Sequence, residues 1–184
     1  MPFTETPIEG LLLFDPNILG DERGYFFEAY NARLFREAGI DVNFVQDNQA
    51  RSGYGVLRGL HYQVGPYAQA KLVRAIEGEV LDVVVDLREG SPSYGRYFKV
   101  RLSANNKRQL FVPRGFAHGY AVLSETAEFF YKCDNYYARD HEGGIIYNDP
   151  SLNIDWELPE EDLILSAKDR QLPVLGEHRR LVAG

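Results

Sequence analysis

Cysteine is nearly absent from this chain: among 184 residues only Cys133 is one. A lone thiol excludes an intrachain disulfide framework and a multi-cysteine zinc site, and it suits a reducing compartment. Methionine and tryptophan also occur once each. No apolar run approaches the roughly 18 residues a membrane-spanning helix needs, and the opening Met1-Pro2-Phe3-Thr4-Glu5 has neither the basic start nor the apolar stretch of a secretory signal. A soluble, cytoplasmic protein is expected. Positive charge is also in deficit. A formal net charge of -7 argues against general nucleic-acid binding, which calls for a basic face. An anionic ligand must therefore be met locally, and Arg23, Arg58, Lys71, Arg74, Arg114 and Lys168 are the candidate cations.

Aromatic residues are plentiful, with Tyr 12 and Phe 11, in a chain that is 45% hydrophobic. That is enough for one core, so a single domain over residues 1–184 is expected. Strand-like runs lie at 11–14, 42–46, 56–63, 71–77, 80–87, 97–102, 109–112, 119–123 and 128–133, with turn signals between them such as Gly78, Pro92, Gly95 and Asn105-Asn106-Lys107. Residues 20–24 form a turn into the aromatic stretch 25–30. Asn31 is placed to cap one short helix that runs through Ala38 and closes at Gly39. Strands recurring about every ten residues indicate an all-β sandwich or barrel, here read as a jelly roll. Past Tyr137 the pattern loosens, predicting a loop-rich C-terminal tail.

Within the 56–63 run, His61 is a titratable base beside cations, a pairing that suits an anionic substrate that must lose a proton. Regular alternation puts Gly59, His61 and Gln63 on one face of an extended chain and Arg58, Leu60 and Tyr62 on the other. Further along, Pro113-Arg114-Gly115-Phe116-Ala117-His118 carries Pro-x-Gly-x-x-His, similar to the second motif of cupin barrels. Metal-binding cupins usually place a second histidine where this chain has Gln63. His61 and His118 supply two ligands where zinc or iron needs three or more, so no metal is expected. His141 and His178 fall in polar loops and are read as solvated.

Five more segments complete the pattern: Asp21-Glu22-Arg23-Gly24-Tyr25-Phe26-Phe27-Glu28, Gln46-Asp47-Asn48, Leu57-Arg58-Gly59-Leu60-His61-Tyr62-Gln63, Phe130-Tyr131-Lys132-Cys133 with Tyr136-Tyr137, and Ser166-Ala167-Lys168-Asp169. Together with 113–118, and in order, they resemble the dTDP-4-dehydrorhamnose 3,5-epimerase family along almost the whole chain. The resemblance implies a cupin-like jelly roll and a cofactor-free isomerase acting on a dTDP-4-keto-6-deoxyhexose. By that analogy His61 is the base, Asp169 its orienting carboxylate, Tyr131 the acid and Lys71 the enolate's cation. Arg23 and Arg58 would grip the diphosphate, while Gln46 and Asn48 would contact nucleotide or sugar. Tyr137 would stack on the thymine with Phe26 on its other side, and Glu28, His118, Glu142 and Lys168 would complete the binding set. The resemblance also implies a homodimer in which the segment around Arg23, Phe26 and Glu28 completes the neighbouring subunit's site. A mono-epimerase acting at C3 or C5 alone shares these motifs; a binding-only or metal-dependent cupin would dispense with the His-Asp-Tyr set.

Overall fold

The computed structural model describes residues 2–181. Two antiparallel sheets face each other across a closed interior, which is the expected all-β jelly roll. The first six strands are β1 (Phe3–Glu5), β2 (Leu12–Phe14), β3 (Leu19–Asp21), β4 (Gly24–Phe26), β5 (Gln46–Gly53) and β6 (Leu57–Gln63). Next come β7 (Lys71–Glu77), β8 (Glu79–Asp86), β9 (Tyr97–Ser103), β10 (Gln109–Val112), β11 (Phe116–Val122), β12 (Thr126–Cys133) and β13 (Glu142–Gly144). One sheet runs β1-β2-β10-β7-β12-β5 and the other β13-β6-β11-β8-β9, while β3 and β4 form a separate hairpin.

Alternation along each strand divides its side chains between the interior and an outer cover. Inward residues Val73, Ala75, Val84, Leu110, Tyr120 and Phe129 build the core between the sheets. The outer face of the six-stranded sheet is capped by α1 (Ala32–Glu37), the one α-helix among the described residues, which buries Phe35 against Phe14, Leu72 and Phe111. As expected, the Asn31 side chain caps this helix, accepting from the Arg33 and Leu34 amides at 3.1 and 3.3 Å. The outer face of the five-stranded sheet is covered by the loop-rich tail, through Ile145, Tyr147, Leu152 and Trp156.

Two expectations need correction. Residues 42–46 do not form a strand; the strand begins at Gln46 and runs to Gly53 through a polar sequence. It pairs only with β12 and lies at the sheet edge, so its outer side chains Asp47, Gln49 and Arg51 stay in solvent and no apolar run is needed. Val42 and Phe44 instead pack against the helix cluster. His178 is not solvated: it is 6% exposed, its Nδ1 accepts from the Gly176 amide at 3.1 Å, and burial lowers its pKa. It is shielded by Tyr62, whose ring meets it edge-on at 6.2 Å.

The register along β6 also departs from regular alternation. Opposite β11, His61 pairs with His118 and Arg58 with Tyr120. Three residues on β6 thus span two on β11, a bulge of one extra residue. The bulge cancels the alternation, and Arg58 and His61 turn to the same cavity. Two glycines allow it. A Cβ on Gly59 would fall 2.7 Å from the Gly119 Cα, and one on Gly119 2.6 Å from the Arg58 carbonyl oxygen.

Candidate active site

Between the sheets lies a cavity of about 580 Å³ lined by Arg58, His61, Lys71, His118, Tyr120, Phe129, Tyr131, Ser166, Lys168 and Asp169 among others. A second chamber of about 260 Å³ adjoins it, bounded by Gln46, Asn48, Gln63, Gln69, Tyr137 and Glu142. His61, Lys71 and Tyr131 line both chambers and so stand at the waist between them. His61 comes from β6 in one sheet, while Lys71 and Tyr131 come from β7 and β12 in the other. An imidazole and a phenol from opposed sheets therefore border the same space.

Asp169 reaches His61 because the C-terminal tail is stitched to the entry of β6, with the Leu57 amide donating to the Ile164 carbonyl at 2.9 Å and the Ile164 amide to Gly55 at 2.8 Å. The next turn carries Asp169, 4% exposed, to 2.6 Å from His61 Nε2. Its other oxygen accepts the Gly59 amide at 3.4 Å. Burial alone would raise its pKa, but the His61 contact, the Gly59 amide and Ser166 outweigh it and the net direction is down. An ionised carboxylate only accepts hydrogen bonds. His61 must then carry its proton on Nε2, which leaves Nδ1 free as a base directed away from Asp169.

Tyr131 is held by Phe129, whose ring centroid lies 6.1 Å away, and by Lys71, whose Nζ is 5.8 Å from the Tyr131 ring. Burial pushes its phenol up to about 12, so it is a protonated donor at neutral pH. The same desolvation lowers the Lys71 pKa, and a charge placed there acts in a medium far less screening than water. His118 is buried and faces Asp82, 2.8 Å from Nε2 to Oδ2, so it too is a carboxylate-anchored histidine on the cavity wall.

The second chamber is ordered by polar contacts. Gln46 donates to Asn48 at 3.1 Å and accepts the Tyr137 amide at 3.2 Å. Tyr137 donates to Glu142 at 3.1 Å, and Glu142 pairs with Lys168 at 2.5 Å. Gln63 donates to the Tyr67 and Tyr136 carbonyls at 2.7 and 3.1 Å and accepts the Ala138 amide at 2.6 Å. It clamps the loop that carries Tyr137, and its side chain is fully engaged as a strut. Among the described residues no cluster of three or more His, Cys, Asp or Glu could hold a metal ion.

Of the fourteen residues singled out from the sequence, eleven line these two chambers. Arg23, Phe26 and Glu28 do not. Arg23 sits on the exposed β3–β4 hairpin paired with Asp21, Phe26 is 65% exposed, and Glu28 contacts the Asn31 side chain. Arg74 stacks on Phe130 outside the barrel, and Arg114 pairs with Asp134. Ser52, Asp82 and Tyr120 escaped the sequence reading although all three point inward. The signal was present for two: Asp82 is a lone carboxylate in Val80-Leu81-Asp82-Val83-Val84-Val85, and Tyr120 follows His118 by two.

A family model described as dTDP-4-dehydrorhamnose 3,5-epimerase matches residues 5–177. An enzyme of that name from Pseudomonas aeruginosa is 58% identical over 172 residues, covering 93% of this chain and 94% of its own. The crystal structure of one from Elizabethkingia anophelis superposes with a TM-score of 0.92 at 53% identity, over 95% of this chain and 96% of that one. A Legionella pneumophila 3,5-epimerase, solved in complex with dTDP-4-keto-L-rhamnose, gives 0.91 at 49% identity, over 95% and 93% of the two chains.

Proposed function

This chain belongs to the dTDP-4-dehydrorhamnose 3,5-epimerase family, and we propose that His61, Asp169, Tyr131 and Lys71 carry out its reaction. It is an isomerase that converts dTDP-4-dehydro-6-deoxy-D-glucose to dTDP-4-dehydro-L-rhamnose. At each of C3 and C5 the C–H bond lies next to the 4-keto group. His61 Nδ1 takes the proton, the electron pair moves into the carbonyl, and the Lys71 ammonium meets the enolate oxygen. Tyr131 then returns a proton from the opposite wall, inverting the carbon. Protons alone are exchanged and the overall change is redox-neutral, so the reaction requires no cofactor. The single observation that carries this reading is the base and the phenol on opposed sheets, with the cation at the waist beside them.

Arg58 and Lys168 supply positive charge for the diphosphate, Gln46, Asn48, Glu142 and His118 supply polar contacts, and Tyr137, half exposed at the mouth, supplies a face for the thymine. The β3–β4 hairpin presents Leu19, Tyr25 and Phe26 to solvent at 59, 63 and 65% exposure, which is costly for an isolated subunit. A homodimer in which this hairpin brings Arg23, Phe26 and Glu28 to the partner's cavity accounts for it. Light scattering at micromolar concentration should give twice 21.0 kDa; a fully active monomer refutes the exchange. No helix among the described residues is long and apolar enough to cross a membrane, and a cytoplasmic site of action follows from the nucleotide-sugar substrate. Proton NMR of the dTDP-4-keto sugar turning over tests the function, with inversion expected at both C3 and C5. Inversion at one carbon alone would make this a mono-epimerase.

A further inference from the structure

Two buried side-chain atoms lack any hydrogen-bond partner among the described residues: Asp82 Oδ1 and the Tyr120 hydroxyl. The Tyr120 side chain points inward from β11 and is 95% buried, at 5% exposure. It lies flat on Phe129, ring centroids 4.1 Å apart, and lines the larger chamber. A buried hydroxyl without a partner is expensive, on the scale of a whole hydrogen bond. Phenylalanine would keep the stacking and avoid that cost, so the hydroxyl calls for an occupant of the chamber.

Its surroundings specify the chemistry. Across the bulge, Tyr120 is the register partner of Arg58. Arg58 Nε donates to Ser52 Oγ at 3.2 Å, which leaves the remaining guanidinium N–H groups and the Ser52 hydroxyl proton free of one another. Burial raises the Tyr120 phenol's pKa, and the Arg58 guanidinium and Ser52 beside it only partly reverse this, so its proton stays on. The Tyr120 and Ser52 hydroxyls and the Arg58 guanidinium thus lie close together. Asp82 is also near, with Oδ2 held by His118 and Oδ1 without a partner. A donor-rich corner facing a cavity fits an acceptor-only anion.

We propose that the Tyr120 hydroxyl donates a hydrogen bond to a phosphate oxygen of the substrate's diphosphate, which Arg58 holds by charge. The inference rests on the proposed nucleotide-sugar substrate and adds to it a donor that discriminates phosphate from nucleoside. Tyr120→Phe removes one oxygen and leaves the stack on Phe129. In calorimetry it should weaken dTDP binding about tenfold or more, as fits a hydrogen bond to a charged acceptor. Thymidine, titrated by NMR to millimolar concentration, should bind parent and variant equally. The unliganded variant should melt higher, by roughly 2 to 5 °C, because an unpartnered polar group has been taken out of the core.

Equal dTDP affinity in the two proteins overturns the proposal while leaving the epimerase reading intact. So does an equal loss for thymidine, which would move the contact to the nucleoside. A melting temperature several degrees lower without ligand would show that the hydroxyl serves the fold, for instance through a water to Asp82. If the parent protein itself fails to bind dTDP, the substrate assignment falls, and this inference with it.

Discussion

Replacing Asp169 by Asn tests the base more cleanly than removing His61, because it keeps the imidazole and the shape of its partner and changes only that partner's charge and hydrogen-bonding capacity. In the parent, the ionised carboxylate accepts from His61 Nε2 at 2.6 Å and from the Gly59 amide at 3.4 Å. An asparagine of the same shape has one oxygen and one NH2 for these two positions. Facing its oxygen to Gly59, it must donate to His61 Nε2, which moves the imidazole proton to Nδ1 and abolishes the base. Facing its oxygen to His61 restores the base but sets NH2 against the Gly59 N–H. That strands a buried donor, at a cost of about 1–3 kcal/mol. In either orientation the charge that steadies the imidazolium formed during the reaction is gone. Charge-assisted bonds are about twice as strong as neutral ones, which adds about 1–2 kcal/mol.

The two effects together come to about 2–5 kcal/mol, a fall in kcat of about 30-fold to several thousandfold at tenfold per 1.4 kcal/mol. Folding should change little, because a hydrogen bond is reversed rather than deleted. A melting temperature within about 3 °C of the parent is expected. Steady-state turnover of the dTDP-4-keto sugar, measured beside a thermal melt, checks both. A kcat within a factor of five of the parent would refute the tautomer argument. A large drop in melting temperature would make Asp169 a residue of the fold.

The opposed walls predict that base and acid variants fail at different steps. In deuterated water His61→Asn should neither invert nor take up deuterium at C3 or C5, whereas Tyr131→Phe, keeping base and Lys71, should exchange faster than it inverts at C5. Mass spectrometry and NMR of recovered sugar decide, and exchange surviving in His61→Asn alone would force the roles to be reassigned. Arg58→Ala should weaken dTDP binding by about 1.5–3 kcal/mol, the worth of a charged hydrogen-bonded pair; unchanged affinity in calorimetry removes Arg58 from the phosphate site. Acid stability is predicted to depend on Asp86. Burial would raise its pKa, but Arg88, Ser93 and Ser91 overcome this and bring the carboxyl from 3.8 to about 2. That difference is worth about 2 kcal/mol at about 1.4 kcal/mol per tenfold. A lowered carboxylate stabilises above its unfolded pKa, so the contribution is complete above about pH 4 and lost as pH falls through about 2. Asp86→Asn should cost about 2 kcal/mol at pH 7 and flatten the acid unfolding curve between those values; an unaltered curve from denaturant melts across that range would contradict it.

Much of the barrel was legible because its strands are amphipathic or wholly apolar and its turns carry Gly, Asn and Pro. Runs such as 80–87 and 128–133 name themselves as strands, and the cap at Asn31 announced the helix. The edge strand β5 was misplaced because its pattern is written in polarity alone. Gln46, Asn48, Ala50 and Ser52 are the less exposed set, and of these Gln46, Asn48 and Ala50 border the two chambers rather than the apolar core, so no hydrophobic period marks them. The signal shifts from packing to binding where the core gives way to the cavity.

The same limit explains why Arg58 and His61 could be singled out as residues and still be misjudged as a pair. Two residues three apart in a strand point oppositely unless the register slips, and no propensity of Arg58, Leu60 or His61 indicates a slip. The slip coincides with a contact between strands distant in sequence: Gly59 and Gly119 lie back to back with no room for a Cβ on either. Neither glycine stands in a turn, where local rules would notice it. Their meaning appears only when β6 and β11 are laid side by side. One inserted residue moves Arg58 to the cavity face that His61 also lines, and the Gly59 amide between them donates to Asp169. An alanine at Gly119 would push on the Arg58 carbonyl at 2.6 Å and disturb cation, base and carboxylate together. The side chains that line the cavity are therefore easier to read from sequence than the backbone irregularity that brings them to one side.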